Sequence, residues 1–146
     1  MGNLSLAIDH RGVAQLTINR PQVHNAFDDE LIADLLQQLQ SLSTNEDVRI
    51  LSLTGAGASF SAGADLNWMR RARNFTAAQN MTDANRLASM LRTLDEFPQP
   101  TLAIVNGATF GGGVGLVAAC DVAVEIDGRA LLRHSHPRGS QGTAAQ

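Results

Sequence analysis

A chain of 146 residues that is 44% hydrophobic and 17% charged fits one globular domain with a sizeable core. Its formal net charge of -3 leaves no basic field for a phosphate backbone, and the cationic side chains are dispersed apart from Arg70, Arg71 and Arg73, so nucleic acid is excluded as a first partner. A single cysteine, Cys120, excludes an intrachain disulfide and fits a reducing compartment; residues 1–10 hold no basic segment followed by an apolar run, no stretch approaches bilayer length, and a cytoplasmic protein without membrane contact is expected.

Residues 4–9 and 13–19 are short apolar-rich runs separated by Arg11-Gly12, which reads as a hairpin, and Pro21 then stops strand pairing. Over residues 28–42 the apolar Leu31, Ile32, Leu35, Leu36, Leu39 and Leu42 recur every three or four positions behind an acidic first turn, the pattern of a helix with one buried face. Residues 48–54 form a buried strand that runs into Gly55-Ala56-Gly57-Ala58. A second helix is expected over about 77–96, where Met81, Ala84, Leu87, Ala88, Leu91 and Leu94 keep helical spacing until Pro98 and Pro100. A strand at 101–105, a glycine-rich loop at 107–113, a small apolar helix at 114–119 and a strand at 121–124 complete an α/β layer structure with right-handed crossovers.

Residues 126–146 differ in character. They keep no period of 2 or 3.6 and carry three Arg against one Asp, so the domain is expected over 1–125 and a loop or disordered tail beyond it.

Two turns, at residues 62–66 and 110–115, leave buried strands and enter helices. In an α/β sheet such turns gather at the carboxyl edge, where ligands bind. With little side chain there, the backbone N–H groups of Ala64 and Gly112 can approach a ligand oxygen, and the helix beginning near Gly113 adds the positive end of its dipole. Two converging donors make an oxyanion hole, which stabilises charge developing on a carbonyl oxygen. Glycines at strand-to-helix turns equally serve tight packing, and these residues alone leave both readings open. Neither G-x-G-x-x-G at a helix start, nor G-x-x-x-x-G-K-[ST], nor G-x-S-x-G is present.

Four motifs stand in order: Arg20-Pro21-x-x-x-Asn25-Ala26-Phe27; Phe60-Ser61-Ala62-Gly63-Ala64-Asp65-Leu66; Pro100-Thr101-x-Ala103-x-Val105-x-Gly107-x-x-x-Gly111-Gly112-Gly113; and Ala119-Cys120-Asp121. Over residues 4–124 the chain thereby resembles the enoyl-CoA hydratase/isomerase (crotonase) family. Asp65-Leu66-Asn67-Trp68-Met69, with Phe110 to Val117, further resembles bacterial methylglutaconyl-CoA hydratases of leucine breakdown. The resemblance implies a crotonase-like (ClpP/crotonase) β-β-α spiral, incomplete at its C-terminus, that acts on an acyl-CoA thioester with no metal or redox cofactor. It implies that Ala64 and Gly112 supply the oxyanion N–H groups, and that Ala26, Ala62, Gly63, Asp65 and Leu66 line the CoA site. It also implies trimers or dimers of trimers, built through C-terminal helices that this sequence does not contain.

Many hydratases of that family carry two glutamates that position and activate water, because syn addition needs one proton given and one taken at a single face. The first falls at Gly115 here. The second falls in 126–146, which contains no Glu. Codon degeneracy permits the neighbouring frame of residues 128–141 to spell something near Gly-Arg-Phe-x-Thr-x-x-Arg-Val-Gly-Leu, so a frameshift just after Val124 is an expectation that sequencing the gene tests. Enoyl-CoA hydration is thus the expected activity, double-bond isomerisation and an inactive chain that only holds CoA or a sister subunit being the alternatives.

Other candidates read more plainly. His10 and His24 stand alone and His134 and His136 lie in the tail, which is not the three or four spaced ligands of a metal site. Cys120 follows an apolar run with no cation beside it, the setting of an inert thiol. Trp68 and Met69 suit an acyl pocket or plain packing. Arg70, Arg71 and Arg73 suit CoA phosphates or a solvated face. Asp65 reads as the cap of a helix, and Glu125 and Asp127 as solvated acids.

Overall fold

The computed structural model describes residues 2–126 and the backbone of residues 130–131. The expected hairpin forms from β1 (Leu4–Ile8) and β2 (Val13–Ile18), paired antiparallel with Leu4 opposite Ile18. A 3-10 turn over Pro21–Val23 follows, and then α1 (Asp29–Ser43), whose Leu31, Ile32, Leu35, Leu39 and Leu42 are buried as their spacing predicts. Asp28 caps α1 by accepting from the Leu31 N–H at 2.8 Å. The chain continues through β3 (Ile50–Gly55), β4 (Ser59–Ser61), α2 (Leu66–Ala72) and α3 (Ala77–Asp95). A capping box between Thr76 and Gln79 starts α3, and the turn before Pro98 ends it. Of its apolar residues only Met90 and Leu94 are buried, while Met81 is 62% exposed, so the periodic stripe is longer than the part that packs.

Then come β5 (Thr101–Val105), β6 (Ala108–Thr109), α4 (Gly112–Ala119), β7 (Val122–Glu125) and β8 (Ala130–Leu131). The main sheet has the order β1-β2-β3-β5-β7-β8, with parallel pairing from β2 through β7 and antiparallel strands at both edges. Helices α1 and α3 pack on each other and α4 packs on α3. A second sheet, β4 beside β6, joins Ser59 to Ala108 and Ser61 to Thr109 in parallel. Three buried phenylalanines, Phe27, Phe60 and Phe97, are the largest side chains of the core.

Three expectations change, the first being the loop at 107–113, which holds β6. The short helix at 114–119 begins at Gly112, because Gly113 and Val114 already donate to the carbonyls of Phe110 and Gly111 at 2.9 and 3.0 Å. Within the segment expected to be a loop, β8 pairs antiparallel with β7, Ala123 opposite Leu131, since backbone pairing asks for no hydrophobic period. The rest of the expected tail beyond residue 126, the assignment of Asp127 included, lies outside the described residues.

Reciprocal bonds join β5 to the turn before β7: the Thr101 N–H donates to Asp121 Oδ2 and the Asp121 N–H donates to Thr101 Oγ1, each at 2.9 Å. That gives the Ala119-Cys120-Asp121 motif a structural use. Within α4, a Cβ built on Gly115 meets only the Leu91 methyls, at 3.5 and 3.6 Å, which is ordinary contact. Gly115→Ala is therefore expected to stabilise the fold by about 0.5–1 kcal/mol, read as a higher urea midpoint at unchanged slope.

Candidate active site

The Arg20-Pro21-x-x-x-Asn25 motif is built around a buried asparagine. Asn25 holds a left-handed backbone, φ 56°, which Asn tolerates better than most residues. Its Oδ1 accepts the Arg20 N–H at 2.8 Å, and its Nδ2 donates to the carbonyls of Ala56 and Ser59 at 2.9 and 2.8 Å. Ser61 Oγ donates to the Asn25 carbonyl at 2.9 Å and accepts from the Gly63 N–H at 3.3 Å. These bonds hold residues 20–27 against the 59–63 segment and seat both beside β3.

From there a single parallel bridge pairs Phe27 with Ala64. The Phe27 N–H donates to the Gly63 carbonyl, and the Asp65 N–H donates to the Phe27 carbonyl, both at 2.6 Å. Backbone groups alternate in direction along an extended segment, so the N–H of Ala64 points away from Phe27. The second turn lies against the first. Gly63 (φ +91°) and Gly111 (φ +53°) both occupy the left-handed region, and a Cβ on Gly63 would stand 3.0 Å from the Phe110 carbonyl oxygen and 3.4 Å from Gly111 Cα. Gly63 and Gly111 thus let the two turns touch, and Gly112 is seated closer still, a Cβ there falling 2.7 Å from Phe27 Cε2. Ala64 and Gly112, each one residue further on, present N–H groups that donate to no acceptor among the described residues.

A cleft of about 430 Å³ opens here, lined by Val23, His24, Ala26, Ala62, Ala64, Asp65, Leu66, Asn67 and Arg70. Five of the seven residues expected at the site, Ala26, Ala62, Ala64, Asp65 and Leu66, line it; Gly63 and Gly112 do not. Sequence reasoning gave no role to Val23, His24 and Asn67. His24 follows the 3-10 turn with φ 55°, and its Nδ1 lies 3.2 Å from Ser59 Oγ. Trp68 is half-buried against the core and Met69 is 49% exposed; neither lines the cleft. Arg71 pairs with Asp29 at 3.4 Å on the surface, whereas Arg70 reaches the cleft. Glu125 lines a separate hollow with Val105, Asn106, Gly107 and Ile126. Cys120 is buried, and among the described residues no group of three or more His, Cys, Asp or Glu is placed to hold a metal ion.

Asp65 caps α2, its Oδ1 accepting from the N–H groups of Asn67 and Trp68 at 2.7 and 3.2 Å. Burial pushes its carboxyl up, but the Trp68 and Asn67 donors and the Arg20 charge outweigh burial and hold it below the ordinary 3.8. A depressed pKa stabilises the fold above the ordinary value, and that contribution is lost as pH falls through the lowered one. Acidification below about pH 3.8 is therefore expected to release the N-terminus of α2, seen as loss of amide protection at Asn67 and Trp68.

The fold is crotonase-like, shared with a solved putative enoyl-CoA hydratase/isomerase (crotonase) from Legionella pneumophila: TM-score 0.82, 42% identity, 86% of this chain and 48% of that one. The chain belongs to the enoyl-CoA hydratase/isomerase family, whose model matches residues 9–131. It is 38% identical to a putative enoyl-CoA hydratase of Thermus thermophilus over 84% of this chain and 48% of the relative. It is 35% identical to the 4-chlorobenzoyl coenzyme A dehalogenase-1 of an Arthrobacter species over 87% of this chain and 47% of the relative. The chain spans about half the length of the curated relatives it matches. No helix among the described residues is long and apolar enough to cross a membrane.

Proposed function

We propose that the cleft takes a CoA thioester and that the N–H groups of Ala64 and Gly112 stabilise charge on its carbonyl oxygen, in the hydration of an α,β-unsaturated acyl-CoA such as methylglutaconyl-CoA. The observation that carries this reading is the pair of unpartnered amides on two turns that touch through Gly63 and Gly111. When water oxygen bonds to C3 of a conjugated thioester, the electron pair of the double bond moves toward the carbonyl, and the oxygen becomes an enolate. Donors already aimed at that oxygen need no reorganisation, and each is worth about 2.7–4 kcal/mol to the transition state. The attacking water gives up one proton and C2 of the enolate takes one up, which completes the addition with no net change of charge. CoA arrives as part of the substrate, and neither step calls for a metal or redox cofactor. Arg70 at the rim suits a CoA phosphate. The enoyl-CoA hydratase and the 4-chlorobenzoyl coenzyme A dehalogenase among the relatives differ in reaction and share a CoA ester in their names, which supports the thioester more firmly than any one chemistry.

One observation favours a second reading, a chain that holds the thioester without turning it over. Among the described residues Asp65 is the sole acid lining the cleft, and its oxygens are already occupied by Asn67, Trp68 and Arg20. At Gly115, where the resemblance implies a carboxylate, there is none.

The test is to incubate the purified chain with crotonyl-CoA and with methylglutaconyl-CoA while measuring CoA binding on the same sample. Hydration supports the first reading, binding alone the second, and movement of the double bond without water uptake would make the reaction an isomerisation through the same enolate. Absence of binding to a folded chain sinks the thioester reading.

A further inference from the structure

Arg20 does not line the cleft but is bonded to Asp65, which does. Its guanidinium Nη2 is 3.3 Å from Asp28 Oδ2 and 3.3 Å from Asp65 Oδ2, and Nη1 donates to the Ala26 carbonyl. All three charged side chains are largely buried, at 13%, 18% and 10% exposure, where ion pairs are less screened than on the surface. Each carboxylate is divided between two tasks. Asp28 Oδ1 caps α1 and Asp65 Oδ1 caps α2, which leaves both Oδ2 atoms to the one guanidinium.

The positions of these aspartates along the chain give the arrangement its consequence. Asp28 directly follows Phe27 and Asp65 directly follows Ala64, and Phe27 and Ala64 are the bridged pair. The clamp therefore grips both sides of the bridge one residue beyond it. A single bridge held by two hydrogen bonds has little of its own to fix register, and a slip of one residue reverses which groups are paired and which are free. In the observed register the amides of Phe27 and Asp65 are consumed and that of Ala64 is left available.

We propose that Arg20 is a positioning residue: by joining the capping carboxylates of α1 and α2 it selects the register that leaves the Ala64 N–H unpaired. The inference rests on the reading of that N–H as a thioester donor. A fork-shaped guanidinium can meet two carboxylates and a carbonyl at once, which an ammonium at the end of a flexible stem cannot.

The experiment has two arms on the full chain, with wild type, Arg20→Lys and Arg20→Ala, the last also in millimolar guanidinium. The first arm needs no ligand. Amide exchange followed by NMR at Phe27 and Asp65 is expected to accelerate about tenfold or more in Arg20→Ala, with Leu16 and Leu53 in the main sheet unchanged, because local opening and global unfolding have separate free energies. Arg20→Lys should fall between, and free guanidinium should restore protection. The second arm is the infrared carbonyl band of bound crotonyl-CoA labelled with ¹³C at the thioester carbon. Wild type is expected to displace the band to lower wavenumber. Arg20→Ala should lose at least half that displacement while the Kd stays within about threefold, the mark of a donor misplaced rather than a site destroyed.

Unchanged protection at Phe27 and Asp65, or acceleration spread evenly over every amide, would overturn the positioning role and leave the thioester reading intact. An undisplaced carbonyl band in the wild type would overturn the thioester reading, and the positioning role with it, even with the exchange arm as expected. Should Arg20→Ala not fold, Arg20→Lys carries both arms, and full protection in that variant would overturn the need for a fork.

Discussion

Replacing Ala64 by lactate, which turns its amide into an ester and removes one N–H with the shape kept, is expected to lower crotonyl-CoA hydration by about 10²–10³-fold in kcat, the cost of losing one oxyanion donor. On the proposed function the loss falls on kcat, since a bond from this amide would strengthen as charge builds on the oxygen, while substrate binding through the rest of the cleft should leave KM within a few-fold. The exchange leaves the Asp65 N–H bond to the Phe27 carbonyl untouched but turns the Gly63 carbonyl, which accepts from the Phe27 N–H, into a weaker ester acceptor, so amide exchange at Phe27 and Asp65 is followed on the same protein to show that the bridge persists. Steady-state kinetics of semisynthetic chain against unmodified chain would check it. Equal rates would mean that this amide does not meet the reacting carbonyl.

Proline at Gly112 would remove the partner donor, but the structure makes that experiment ambiguous. A Cβ on Gly112 falls 2.7 Å from Phe27 Cε2 and 2.9 Å from Cδ2, so any side chain at 112 first displaces a ring that is 2% exposed. Phe27→Ala is expected to destabilise the fold by about 3–5 kcal/mol, as removal of a buried ring does, and Gly112→Ala by about 1–3 kcal/mol through overpacking. The two should not add. With the ring gone the new methyl has room, so a double-mutant cycle is expected to show about 0.5–3 kcal/mol of favourable coupling. Urea melts of the four proteins measure it, and strict additivity would place the Gly112 backbone away from the ring.

Much of this architecture was legible before any coordinates. The buried stripe of α1 is a plain 3.6-residue pattern, and the hairpin, β3 and β5 are short apolar runs bounded by turn residues. The glycines pointed to both turns. Strands β4 and β6 were not legible, because runs of three and two residues show no period and each exists only through the other, Ser59 with Ala108. Arg20 was visible as part of a motif and silent as to its task, which depends on a carboxylate 45 positions away. A gap of that kind is a contact only in the folded chain, where the bridge between Phe27 and Ala64 holds the two segments side by side. The start of α4 was misjudged by two residues, since a helix opening on Gly112 and Gly113 follows their close seat against Phe27 and Ser61 and not their propensity.

Main-chain donors also leave an odd signature in heredity. Every amino acid except proline brings the same N–H to position 64, so almost any codon change there would leave the proposed donor in place. An alanine scan, built to find side chains, would pass over Ala64 in silence and report Arg20, Asn25 and Ser61 instead. The genetic map of this site would then trace the frame that aims the amides, and the amides themselves would be blank.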